Sequence, residues 1–115
     1  MPVTAEKVSE LLAPLIAVRT ITSKKMFGGI GIYSDGVFFA VIDDDRLYFK
    51  FDEVNGPKYD SFGAEQWVIM GETPSSMPYK EVPNAILANG EALGEWIDDA
   101  VGVALRKKKP SKKKV

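Results

Sequence analysis

The chain has 115 residues, 45% of them hydrophobic and 27% charged, which suits one globular domain able to bury a core without staples. It contains neither cysteine nor histidine; that excludes disulfides, thiol nucleophiles, Ser-His-Asp chemistry and the usual zinc and iron sites. The net charge of −1 hides a segregation: residues 1–105 hold eight basic against all 16 acidic residues, a charge of −8, while the last ten residues carry seven basic residues and no acid.

Thr4 has the chemistry of a helix N-cap, and Glu6 suits the positive end of a helix dipole. Val8, Leu11, Leu12, Leu15 and Ile16 then recur at helical spacing. Pro14 sits inside that run. It lacks an N–H and clashes with the carbonyl four residues back, so it predicts a kink there or a helix end within a few residues. The stretch from about 24 to 33 reads as one strand, weakened by Gly28, Gly29 and Gly31, which suggest a bulge or a close backbone approach. Asp35-Gly36 signals a tight hairpin turn, because such turns need residues that tolerate positive φ, and residues 37–42 form the next strand. Asp43-Asp44-Asp45 is a polar turn. Residues 46–52 give a third strand in which Leu47, Phe49 and Phe51 alternate with Tyr48, Lys50 and Asp52, so one face is buried and the other wetter.

Asn55-Gly56-Pro57 breaks the pattern, and a short helix or loop through Tyr59 and Phe62 follows. Residues 66–70 are a fourth strand and residues 77–82 a fifth, which Pro78 and Pro83 hold near an edge; residues 71–76 are a loop by composition. Asn89 and Glu91 open a second long helix whose stripe is Leu93, Trp96, Ile97, Ala100, Val101, Ala104 and Leu105. Lys107, Lys108 and Lys109 favour its negative end, and Pro110 stops it. The fold class is α+β: an antiparallel sheet of about five strands (a three-strand meander plus two), with an N-terminal and a C-terminal helix packed on one face. One domain over 1–105 precedes a basic, flexible tail over 106–115. No segment approaches the roughly 20 apolar residues of a membrane span, and the N-terminus is not a secretory signal, so the expected location is cytoplasmic.

Several of these runs are similar to one family: Met26-Phe27-Gly28-Gly29, Ile32-Tyr33, Asp35-Gly36, Phe39-Ala40-Val41, Leu47-Tyr48-Phe49-Lys50, Met77-Pro78-Tyr79 and the closing helix with Glu91, Ala92, Leu93 and Trp96. Along them the chain resembles the N-terminal domain of the TfoX/Sxy competence regulators, from about Val8 to Leu105. The resemblance implies a five-stranded antiparallel sheet with flanking helices and a bacterial cytoplasmic setting. It also implies a link to the regulation of DNA uptake, where the full-length proteins help the cyclic-AMP receptor protein at competence promoters. Those regulators carry a second, C-terminal domain, whereas only the lysine-rich tail follows Leu105 here; the expectation is a stand-alone version of the N-terminal domain. The family supplies no catalytic residues.

The residues themselves point the same way. Gly28-Gly29-Ile30-Gly31 could form an anion nest, but it lacks the Gly-Lys-Ser/Thr ending of a P-loop and the glycine spacing of a dinucleotide site; a bulged strand that lets another element approach is the stronger reading. Asp43-Asp44-Asp45 lacks the alternate ligand spacing of a calcium loop and reads as a solvated turn. Glu95, Asp98 and Asp99 read as the solvated side of a helix. Ser23 and Lys24 are strand neighbours and point to opposite faces. Residues 36–41 faintly echo the aromatic strand of RNA-binding RRM domains, in the wrong element order. Met26, Phe27, Met70 and Met77 could offer an adaptable surface, with core packing the stronger reading. No catalytic, metal or cofactor residue is assigned, and no cofactor is expected. The expectation is a non-enzymatic regulatory module. Its protein partner is a second copy in a homodimer or, by the resemblance, a transcription factor, held at the outer sheet edge or around Met26, Phe27, Gly28 and Gly29. The alternative is an accessory nucleic-acid binder using Arg106, Lys107, Lys108, Lys109, Lys112, Lys113 and Lys114, since clustered cations release counterions, although the acidic body repels phosphate over a Debye length of about 8 Å. A second alternative is a small ligand-binding domain or enzyme working through carboxylates and backbone groups. No membrane partner is expected.

Overall fold

The structure is a computed structural model that describes residues 4–26, 29–69 and 75–108. It is α+β. Helix α1 (Ala5–Val18) leads into the strands β1 (Ile21–Met26), β2 (Gly29–Ser34), β3 (Val37–Asp43) and β4 (Arg46–Lys50). A short α2 (Gly56–Asp60) separates these from β5 (Gln66–Ile69) and β6 (Ser75–Glu81), and α3 (Asn84–Leu87) and α4 (Gly90–Lys108) close the chain. The strands form one antiparallel sheet in the order β1-β2-β3-β4-β6-β5.

The caps read from sequence form. Thr4 Oγ1 accepts the Lys7 N–H at 3.3 Å, and Asn89 Oδ1 accepts the Ala92 N–H at 3.2 Å. Helix α1 passes through Pro14 and ends at Val18, where the Arg19 N–H returns to the Leu15 carbonyl at 3.0 Å.

The stretch taken as one strand from 24 to 33 is two. β1 and β2 pair antiparallel from Ile21↔Ser34 to Met26↔Gly29, which supplies the sixth strand. The glycines therefore mark a reversal of the chain, and alternation cannot reveal a reversal that lacks a recognisable turn dipeptide. Gly29 itself meets a close approach: a Cβ there would lie 2.4 Å from the Ile42 carbonyl oxygen of β3. The next two turns are alike. Asp35 and Gly36 have φ of 49° and 80°, and Asp44 and Asp45 have φ of 54° and 58°, the left-handed pair that matches strand twist in a two-residue hairpin. Asp45 is also held from outside, its Oδ1 accepting the Thr4 N–H at 2.8 Å.

β6 is not near an edge, as its prolines suggested, but lies between β4 and β5. Pro78 is tolerated because β4 pairs no further than Lys50↔Tyr79 and the β5 register is irregular between Gln66 and Val68; no ladder position there requires its missing N–H. Ser75 and Ser76, read as loop, begin this strand. α3 was not foreseen.

The core lies between the sheet and the long helices. Leu11 and Leu15 of α1 and Leu93, Trp96, Ile97 and Ala100 of α4 pack with Ile32, Phe39, Ala40, Ile42, Leu47 and Phe49. A bulge makes Phe39 and Ala40 share that face. Ile32 pairs with Ala40 but Tyr33 pairs with Phe38, so Phe39 is the extra residue and strand parity shifts by one across it. On α4, Val103 is buried while Leu105 is 47% exposed, the reverse of the expected stripe. The spacing 93, 96, 97, 100, 103, 104 keeps to one side, and position 105 turns away. Arg19 ties the ends of α1 and α4 together through Nε and Nη2 bonds of 2.9 and 2.7 Å to Asp98, and Lys58 of α2 pairs with Asp99. These carboxylates, expected to be merely solvated, fasten α4 to its neighbours.

Candidate interaction surface

Strand register decides what stands on the sheet face away from the helices. Thr22, Lys24 and Met26 of β1 align with Tyr33, Gly31 and Gly29 of β2. Beyond the bulge, Phe38 and Val41 follow on β3, Tyr48 and Lys50 on β4, and Tyr79 and Glu81 on β6. Val41, Tyr48, Trp67 and Tyr79, with Phe38 packed against them, form a second apolar cluster built from strand residues alone. Its rings are in contact: Tyr33 with Phe38 at 5.3 Å, Phe38 with Tyr79 at 6.1 Å, Trp67 with Tyr79 at 5.4 Å and Tyr48 with Trp67 at 6.0 Å. Trp67 starts on the outermost strand, yet its Nε1–H donates to Asp43 Oδ2 of β3 at 2.8 Å. The indole thus lies across β6 and β4, which requires the sheet to curl toward this face.

Two lysines stand over the rings. Lys24 Nζ is 5.6 Å from the Tyr33 ring centre, and Lys50 Nζ is 5.4 Å from those of Phe38 and Tyr79, within cation–π range. The phenols stay neutral. Burial, with Tyr33 nearby, pushes the Tyr79 phenol up to about 12. Burial also raises Tyr48, with Glu81 acting the same way and Arg46 against it. Lys24 and Lys50 therefore set the charge at the Tyr33–Phe38 end. At the other end Asp43 receives Trp67, and Arg46 pairs with Glu81 at 3.6 Å. Beside this face runs β1, an edge strand of six residues whose Thr22 to Lys25 are exposed. An edge strand carries unpaired backbone donors and acceptors, and its lysines guard it against pairing with its own kind.

The residues singled out from sequence are placed unevenly. Gly29 is a packing glycine beside β3. Met26 ends β1 opposite it; Phe27, Gly28 and Met70 lie outside the described residues, as do the side chains of Met26 and Met77. Arg106, Lys107 and Lys108, assigned to the tail, are the last turn of α4. Arg106 is engaged by the body, its Nη2 2.8 Å from Asp52 Oδ2; burial opposes this bond, which nevertheless lowers the Asp52 pKa. Lys109, Lys112, Lys113 and Lys114 lie outside the described residues. Ser23 and Lys24 do point to opposite faces. The three aspartates do separate jobs: Asp43 is buried against Trp67, Asp44 sits at the turn and Asp45 holds Thr4. Among the described residues, no cluster of three or more His, Cys, Asp or Glu side chains is placed to hold a metal, and no helix is long and apolar enough to cross a membrane.

The aromatic and lysine face is what sequence reasoning missed. Its signal was the repeated aromatic or lysine at alternate positions, Tyr33, Phe38, Tyr48 and Lys50, which the bulge at Phe39 throws out of step. An open cleft of 380 Å³ lies elsewhere, between Arg46, the segment 62–65, and the start of α3 at 82–84. Arg46 is 3.3 Å from Glu65 and 3.6 Å from Glu81, so its charge is spent within the cleft, whose walls are net acidic. It is not an anion site.

An open antiparallel sheet with two long helices on one face and an aromatic face opposite defines a small two-layer α+β domain. The family model of the TfoX N-terminal domain matches residues 10–104, and the chain belongs to that family. It is not a known enzyme family. No curated protein matches the chain.

Proposed function

We propose that this protein is a non-enzymatic interaction module of the competence-regulator type, which presents its β1 edge and adjoining sheet face to a protein partner. The observation that carries this reading is the asymmetry of the sheet. One face is filled by α1 and α4, whereas the described residues of the other carry only their own aromatic cluster beside an unpaired edge. Family membership supports the regulatory class. By the family resemblance the partner is a transcription factor; a second copy of the chain is the other candidate, although an edge-to-edge dimer would bring Lys24 and Lys25 toward their own copies.

The test is site-specific photo-crosslinking of the full chain in bacterial cells, with a photoreactive residue at exposed Thr22 on β1 or at exposed Glu95 on α4. Discrete adducts from position 22 and not from position 95 are expected. Adducts from position 95 alone, or none from either, would contradict the reading.

A further inference from the structure

Tyr33 and Phe38 occupy paired positions on the adjacent strands β2 and β3, and both are half-buried. Their rings are 5.3 Å apart and inclined by 36°. Lys24 stands on the β1 side and Lys50 on the β4 side, each with its ammonium over a ring. This is a pair of aromatic rings on an uncovered sheet, flanked by one cation on either hand. We propose that this face is a stacking platform for single-stranded nucleic acid, with bases on Tyr33 and Phe38 and phosphates on Lys24 and Lys50. The proposal is independent of the protein-partner reading above.

The chemistry favours this occupant over others. Bases of any identity stack on aromatic side chains, and lysines beside them follow the backbone. An acidic peptide would satisfy the lysines but leave the rings unused. Duplex bases are already stacked on one another and cannot reach a ring on a flat sheet. The cation–π contacts that now hold Lys24 and Lys50 are weak at an exposed site, and a four-carbon stem lets each ammonium swing from ring to phosphate. Carboxylates on this face are committed elsewhere, Asp43 to Trp67 and Glu81 to Arg46, while Asp35 lies at the exposed turn beyond Tyr33. The net charge of the whole chain is only −1, so long-range repulsion of an anion is small.

The experiment is fluorescence anisotropy of the full chain with labelled thymidine and uridine dodecamers, and a duplex of equal length, over a salt series. Both single strands, or one of them, are expected to bind more tightly than the duplex, and the preferred sugar tells DNA from RNA. Tyr33→Ala and Phe38→Ala should each weaken binding at least about fivefold with the salt slope unchanged, and Tyr33→Phe and Phe38→Tyr should retain it. Lys24→Gln and Lys50→Gln should each reduce the log–log salt slope by about 0.7. Lys24 is exposed, so its variant reports even where an aromatic deletion impairs folding. No binding of either single strand, a duplex bound as well as they are, or binding that none of the four deletions weakens would overturn the proposal. The last result would assign binding to the basic C-terminus.

Discussion

Replacing Gly29 by alanine tests the packing of the glycine-rich hairpin. The new Cβ would lie 2.4 Å from the Ile42 carbonyl oxygen, whereas an unstrained carbon–oxygen contact is about 3.3 Å or longer. β3 must therefore retreat by about 0.9 Å at a backbone position, because no flexible side chain is there to give way. Forcing extra volume into a packed interior costs about 1–3 kcal/mol. The less flexible unfolded chain returns about 0.4–1 kcal/mol. The net expectation is a loss of about 1–2 kcal/mol, and a fall of roughly 4–15 °C in Tm for a domain of this size. Urea unfolding followed by tryptophan fluorescence should show a lower midpoint with an unchanged slope. Gly90→Ala is the control. Its Cβ would sit 3.5 Å from Val18 Cγ1, an ordinary contact in a helix that prefers alanine, so stability should hold or rise. A Gly29→Ala protein as stable as wild type would refute the close approach of β2 and β3.

Trp67→Phe keeps a ring but removes the indole N–H from the buried Asp43 carboxylate; a loss of about 1–3 kcal/mol is expected in the same urea assay, and no loss would show that this bond does not fasten β5 to the sheet. The Tyr59 hydroxyl is buried with no hydrogen-bond partner among the described residues, so Tyr59→Phe should leave stability unchanged or raise it by up to about 1 kcal/mol; a clear loss would reveal a partner. Tyr79 has its pKa raised from 10.0 to about 12, and that of Tyr59 is raised too, by burial and then by Asp99. The folded state holds these protons more tightly than the unfolded chain. Their contribution is therefore complete below pH 10 and is lost as pH rises through 12. Urea midpoints should fall across that window, and a flat profile would count against the buried phenols. The Asp98 carboxyl lies below its ordinary value through its Arg19 hydrogen bond. Its contribution is present above the usual carboxylate range and is lost on acidification; Arg19→Gln should flatten the acid limb slightly, since the pair is exposed.

Local signals were legible and non-local ones were not. Thr4 and Asn89 announced their helices because a cap is made within a few residues. Asp35-Gly36 announced its turn for the same reason, and the aspartates at 44 and 45 fill an equivalent turn. The reversal between β1 and β2 carried no such dipeptide, so glycines that bend the chain read as glycines that weaken a strand. β6 was placed at an edge because proline removes a donor. Its true place depends on where β4 ends and where the β5 register slips, which only the assembled sheet determines. The second face was hidden by a single bulge residue: without Phe39 as the extra position, Phe38 and Val41 cannot be seen to share a face with Tyr33 and Tyr48. The reach of Trp67 across two strands to Asp43 is tertiary and leaves no mark in the neighbouring sequence.

Residue-resolved hydrogen exchange of the free, full-length protein tests the central claim most directly, that β1 and the face beside it stay open while the helices seal the other side. Amides of β3 and β4 should exchange only on global unfolding, whereas the outward-pointing amides of β1 should exchange orders of magnitude faster. Outward β1 amides protected as strongly as those of β3 would mean that this edge is already covered, and would contradict the claim.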